Sequence, residues 1–173
     1  MSDEFKLSVA EILGRPAAYR EVELRAPIGG VESAVARLAE DPISARLRLE
    51  AVVEGILVTG GVQAGLRLEC ARCLKDFKSD IAVEVCDLYA AAGSSEDAYR
   101  LSGTDLNLEP LLRDVLGLAL PFNPLCRPDC KGLCAQCGKD LNAGPCDCKT
   151  DERDPRWDAL DAVAERLRAD TSA

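Results

Sequence analysis

Apolar and polar residues alternate along much of the first half of this chain. Tyr19-Arg20-Glu21-Val22-Glu23-Leu24-Arg25 sets charged against apolar side chains at a period of two, the pattern of a strand with one buried face. Ile43 to Thr59 repeats it, with Val52, Ile56 and Val58 on the apolar side and Gly55 predicted as a bulge or bend. Gly60-Gly61 reads as a two-residue hairpin turn leading into a further strand, Val62 to Glu69, which runs straight into Cys70. Beyond Cys73 the alternation resumes at Ser79–Val85 and fades near Leu88-Tyr89. Helical spacing predicts a short helix over Ser8–Leu13 capped by Ser8, and a longer one over Leu106–Leu120, ended by Pro121. A last helix opens at Asp154-Pro155 and runs to about Ala169. Val31–Ala39 is either a short helix or an irregular connection, and Ala90–Ser102, small, polar and acidic, reads as a mobile excursion. The fold class predicted is α+β. An antiparallel, partly curled sheet over residues 19–89 is covered by the Leu106–Leu120 helix, giving a β-rich domain over 1–121 and a cysteine-rich extension over 122–173.

Composition narrows the functions this fold can serve. The 173 residues are 47% hydrophobic but only 4% aromatic, so aliphatic side chains must build the core. No run approaches the ~20 apolar residues that span a bilayer, and the acidic start Met1-Ser2-Asp3-Glu4 does not resemble an export signal. The expectation is a soluble, cytoplasmic protein. The chain has no histidine, which removes Ser-His-Asp and Cys-His catalysis, HExxH metalloproteases and histidine-containing zinc fingers. Its formal net charge is −9, whereas free-standing nucleic-acid binders are usually basic. RNA contact would need a local patch or a partner's help.

The nine cysteines carry the strongest chemical signal. Cys126–Cys148 reads CRPDCKGLCAQCGKDLNAGPCDC, three close pairs spaced C-x3-C, C-x2-C and C-x-C, and Cys70-Ala71-Arg72-Cys73 is a fourth. A tight turn between two close cysteines aims both sulfurs at one ion, and Gly138 supplies the positive φ that the Cys134/Cys137 turn needs. Eight ligands suffice for two tetrahedral four-thiolate zinc sites, leaving Cys86 over as a small buried apolar residue. Disulfides, an iron–sulfur cluster and a redox Cys70/Cys73 pair are the alternatives. Only eight residues separate Cys134/Cys137 from Cys146/Cys148, and Asn142-Ala143-Gly144-Pro145 among them can turn the chain into a zinc ribbon. Cys126/Cys130 then joins Cys70/Cys73 across a long loop. The alternative is a single site from Cys126, Cys130, Cys134 and Cys137.

Several of these strings resemble one family. Val53-Glu54-Gly55-Ile56-Leu57-Val58-Thr59-Gly60, Cys70-Ala71-Arg72-Cys73-Leu74, Leu118-Ala119-Leu120-Pro121, Leu125-Cys126, Cys130-Lys131-Gly132-Leu133-Cys134 and Asp154-Pro155-Arg156-Trp157 are similar to the YceD family. Its members are known as large ribosomal RNA subunit accumulation proteins. The resemblance implies a bacterial, non-catalytic factor in ribosome biogenesis, supporting accumulation of 23S ribosomal RNA and assembly of the large subunit. Its partners would be that RNA or a large-subunit ribosomal protein, with no membrane and no small-molecule substrate. Members differ in how much of the C-terminal cysteine cluster they carry, and this chain has the full version.

The candidate RNA contacts surround the first cysteine pair. Arg67, Arg72, Lys75 and Lys78 outnumber Glu69 and Asp76 there, and Phe77 either stacks on an unpaired base or belongs to the core. From Arg127 to Arg156 six basic residues are balanced by six acidic ones, so that stretch suits a structural or protein-binding role. Asp151, Glu152 and Asp154 could hold a hard cation or cap the last helix. Two other classes of function stand beside the ribosomal one. One is a zinc-stapled protein-interaction module without direct RNA contact, and the other is a thiol enzyme or metal carrier using Cys70 and Cys73.

Overall fold

A computed structural model describes residues 3–90, 99–148, 160, 163 and 164. The chain divides into two compact units, Met1–Cys130 and Lys131–Ala173. In the first, a 3-10 turn (Asp3–Phe5) precedes the strands β1 (Lys6–Ser8), β2 (Tyr19–Ala26), β3 (Ala36–Leu38) and β4 (Ile43–Val52). Then come β5 (Gly55–Glu69), β6 (Asp76–Ala90), β7 (Tyr99–Arg100), β8 (Asp105–Asn107) and the helix α1 (Glu109–Leu118).

The principal sheet is open and six-stranded, in the order β2-β4-β5-β6-β7, with β3 also pairing β5. All its pairings are antiparallel except β6 with β7. Side chains alternate strictly along β4 and β5. Ile43, Ala45, Leu47, Leu49 and Ala51 point inward, as do Ile56, Val58, Val62, Ala64, Leu66 and Leu68. They form one core with Phe5, Val9, Ile12, Leu106 and Leu108 and with the buried face of α1, Leu111, Leu112 and Leu116. No buried polar side chain interrupts it among the described residues.

Four local expectations are revised. Gly60-Gly61 is not a turn: β5 runs through it without a break in register, and the hairpin turns at Val53-Glu54, where Val52 pairs with Gly55. Gly55, expected at a bulge or bend, therefore marks the bend: it closes that turn. Ser8–Leu13 is a strand end followed by turns, because β1 pairs with β8 and the amide of Val9 donates to the carbonyl of Thr104 at 2.8 Å. The Val31–Ala39 stretch yields β3, captured by the far half of β5. The first residues of the predicted long helix are spent on β8. Asn107 Oδ1 then accepts the amide of Glu109 at 3.1 Å and starts α1 there, and Glu109 meets Arg113 one turn on at 2.8 Å. Within the predicted excursion, residues 91–98 lie outside the described residues. Of the last helix only Leu160, Val163 and Ala164 are described, helical, with Leu160 and Val163 exposed.

Gly60 shows why the doublet is there. Its φ is +141°, and a Cβ would strike the carbonyl oxygen of Arg46 and come within 2.9 Å of Leu47 Cα. A Cβ at Gly61 would meet nothing nearer than 3.7 Å. Gly60→Ala should therefore lower stability by about 3 kcal/mol, and Gly61→Ala by less than about 1 kcal/mol. Urea unfolding of the two variants checks this. Equal midpoints would remove the close approach as the reason for Gly60.

Candidate metal centres

The cysteine pair between β5 and β6 sits on a knuckle held by its own backbone. The amide of Cys70 donates to the carbonyl of Lys75 at 3.0 Å, and the amide of Leu74 donates back to the carbonyl of Cys70 at 2.9 Å. Cys134–Lys139 repeats the arrangement, with Cys134 donating to Lys139 and Gly138 donating to Cys134, both at 2.9 Å. The residue after each second cysteine has positive φ: +72° at Gly138 and +58° at Leu74. Glycine takes this conformation freely, whereas leucine does so at a cost. Leu74 is moreover 58% exposed, so its side chain gains little burial in exchange.

The segment after α1 closes on the first knuckle. The carbonyl of Pro124 accepts the amide of Ala71 at 2.8 Å, and Arg72 Nη1 donates to the carbonyl of Cys130 at 2.8 Å. The sulfurs of Cys70, Cys73, Cys126 and Cys130 thereby lie within 4.8 Å of one another. Cys70 Sγ is 3.8 Å from Cys130 Sγ, and Cys73 Sγ is 3.7 Å from Cys126 Sγ. These separations are far beyond the ~2.05 Å of a disulfide. They match the ~3.8 Å edge of a tetrahedron whose corners lie ~2.3 Å from a central ion. Cys70, Cys73 and Cys130 are buried, and Cys126 is exposed.

The second group lies in the second unit. Cys134, Cys137, Cys146 and Cys148 again bring four sulfurs within 4.8 Å. Asn142 shapes the return: its Oδ1 accepts the amide of Lys131 at 2.8 Å, and its own amide donates to Asp140 Oδ1 at 2.9 Å. Leu133 and Asp140 form an antiparallel bridge, and Leu141 donates to the carbonyl of Gly132. Lys139 Nζ donates to the carbonyl of Pro145 at 2.6 Å. Only Cys134 is buried in this group.

Each cluster is prepared for a cation. Backbone hydrogen bonding, chiefly from Cys126 and then from Cys73 and Arg72, outweighs desolvation and lowers the Cys70 thiol to about 6 from an ordinary 9.0. Cys134 is likewise lowered to about 6, first by the backbone of Cys137 and then by that of Gln136. Hydrogen bonding from the protein itself thus favours the thiolate at Cys70 in one cluster and at Cys134 in the other. Desolvation and neighbouring thiols push Cys126 up to about 12, and hydrogen bonding with Cys137 together with burial does the same to Cys148. Four thiolates cannot share so small a space without an ion between them. Four soft sulfur donors in tetrahedral array suit zinc, or iron as the sulfur-ligated alternative.

The remaining sequence-predicted residues divide. Arg67 lies on β5 directly opposite Lys78 on β6, both exposed on the outward face of the sheet. Arg72 is engaged with Cys130, and the carbonyl of Lys75 is engaged with Cys70. Phe77 pairs with Leu68 and packs half-buried against the core, so it offers no outward stacking surface. Cys86, expected to be buried, is exposed, because β6 turns its even-numbered residues outward while Val85 faces the core. Asp151, Glu152 and Asp154 lie outside the described residues.

An open, mostly antiparallel sheet and two four-cysteine clusters define a cysteine-rich β protein without a recognisable catalytic constellation among its described residues. The particular family follows from the sequence comparison: the profile described as large ribosomal RNA subunit accumulation protein YceD matches residues 58–163. The chain belongs to the YceD family. An uncharacterised protein of Mycobacterium tuberculosis is 42% identical over 121 residues, 66% of this chain and 58% of that protein. One from Mycobacterium leprae is 40% identical over 127 residues, 69% of this chain and 58% of its own. A chloroplastic protein of Arabidopsis thaliana, named large ribosomal RNA subunit accumulation protein YCED homolog 1, is 30% identical over 64 residues, 37% of this chain and 20% of its own. The matched region thus covers a little under three fifths of each mycobacterial relative. No solved structure gives a significant match.

Metal analysis tests the clusters. The purified protein should hold two ions per chain, and Cys70→Ser with Cys73→Ser should leave one. A single ion unaffected by that double substitution would refute the pairing of Cys70/Cys73 with Cys126/Cys130.

Proposed function

We propose that this protein is a cytoplasmic, non-catalytic ribosome biogenesis factor that supports accumulation of large-subunit ribosomal RNA and assembly of that subunit. Membership of the YceD family is the observation that carries this reading. In it, two zinc ions are structural, each held by four thiolates. Cys70, Cys73, Cys126 and Cys130 hold one, and Cys134, Cys137, Cys146 and Cys148 hold the other. Zinc supplies no reactivity here. It neutralises thiolates that burial alone would protonate, and it makes folding of each cluster depend on metal. The partner is large-subunit RNA or a protein bound to it, met without a membrane or a small-molecule substrate.

A second reading, a zinc-stapled module that meets a ribosomal protein and never touches RNA, is favoured by one observation, the net charge of −9. Two filled sites deepen it, since an ion with four thiolates carries a net −2.

Sedimentation of growing-cell lysate separates these readings. The protein should travel with large-subunit precursor particles, and its depletion should lower large-subunit RNA relative to small-subunit RNA. Release by RNase favours direct RNA contact, and RNase-resistant association favours the protein module. A protein that stays at the top of the gradient, with RNA levels unchanged on depletion, would contradict the ribosomal role.

A further inference from the structure

The register of the sheet aligns three cations that are scattered in sequence. Arg37 of β3 lies directly opposite Arg67 of β5, and Arg67 lies directly opposite Lys78 of β6. All three are exposed on the outward face. With strands ~4.8 Å apart, they form a row about 10 Å long across three strands. Like charges directly opposite one another destabilise a sheet. Nearby carboxylates do little to relieve them. Among the described residues Arg67 has one ion partner, Glu40 at 3.5 Å, whose side chain is 91% exposed, and such a pair contributes little in water. Among the described residues neither Arg37 nor Lys78 has an ion pair within 4.0 Å.

One acid, Glu32, ends the row itself, bridged to Arg37 on the side away from Arg67, and the other acids of the face stand in neighbouring rows. Glu69 faces Asp76 one step along the same face, and Asp80 lies beside Gly65 one step the other way. Three cations in a line, of which only Arg67 has an ion pair within 4.0 Å among the described residues, form a track for a chain of negative charge that ends at Glu32. The track carries nothing that reads a base. None of the outward residues of β5 or β6 is aromatic, and Phe77 faces the core.

We propose that Arg37, Arg67 and Lys78 form a phosphate-contacting track for RNA, one that holds the backbone and does not read the sequence. This rests on the ribosomal reading above. It adds Arg37, which the sequence does not single out, and it removes Arg72, whose guanidinium is committed to the carbonyl of Cys130. A single charged contact would be too weak to hold RNA on so acidic a protein, but three in register act on consecutive phosphates of one strand. Loss of each contact lowers the slope of log affinity against log salt by about 0.7 for single-stranded RNA.

The test uses the full-length, metal-loaded chain with a 30-nucleotide oligouridylate, a mixed-sequence RNA of equal length, and polyglutamate. Arg37→Gln, Arg67→Gln and Lys78→Gln should each weaken oligouridylate binding and flatten its salt dependence by about 0.7, and the triple variant by about 2. Arg37→Lys should restore the slope, and the two RNAs should bind alike. Unchanged metal content in each variant shows that the fold is intact. A triple variant that binds with the parent's affinity and slope overturns the proposal, and so does a parent that binds neither RNA. Polyglutamate displacing RNA as well as unlabelled RNA does would overturn it in favour of an acidic protein partner. In any of these cases continued sedimentation with large-subunit particles leaves the ribosomal role standing, separating the two failures.

Discussion

The constraint on which the rest of this structure depends is the meeting of Cys70 and Cys73 with Cys126 and Cys130. It joins positions 60 and 53 residues apart, linking the end of the β5–β6 hairpin to the segment beyond α1. The hairpin needs that link. From Asp76 to Glu84 no residue of β6 is fully buried: Phe77, Ile81 and Val83 pack only half-buried against the core, and Val85 is the first buried side chain. Hydrophobic burial alone would leave this end of β6 fraying. A cross-link closing so long a loop removes much freedom from the unfolded chain, and hydrogen bonds from Ala71 to Pro124 and from Arg72 to Cys130 fix its geometry. This union also explains why Cys126 and Cys130 fall in the first compact unit and the other four C-terminal cysteines in the second.

Position and charge connect the cluster to function. The row formed by Arg37, Arg67 and Lys78 lies at the same end of β5 and β6 as the knuckle, within three residues of Cys70 on one strand and five of Cys73 on the other. A hairpin end that frays would scatter these cations, and one that is pinned presents them together. The proposed structural metal and the proposed RNA contact are therefore coupled through the same short stretch of backbone. An acidic chain can in this way hold a row of cations in register without being basic as a whole.

Much of this was legible in the residues. Alternation located β2, β4 and the ends of β5 and β6, and the close cysteine pairs identified which sulfurs converge. What escaped was set by distant parts of the chain. Gly60-Gly61 looked like a turn because local signals favour one, but the need for close approach to Arg46 and Leu47 placed the glycines inside a strand. β3 has no strand signal of its own and forms because β5 offers it an edge. Arg37 was invisible for the same reason, since only register reveals its neighbours. Arg72 looked available to a ligand, and its commitment to Cys130 became visible only once the chain closed. Leu74 shows the converse: a position suited to glycine is filled by leucine, exposed and at positive φ, with no packing that explains the choice.

The central claim is that each cluster is a closed tetrahedral site of four thiolates around zinc. X-ray absorption at the zinc edge of the purified full-length protein addresses it directly. The account predicts a single shell of four sulfurs at ~2.3 Å, with no nitrogen or oxygen ligand in either site. A mixed shell containing oxygen, or iron with bridging sulfide in place of zinc, would contradict it.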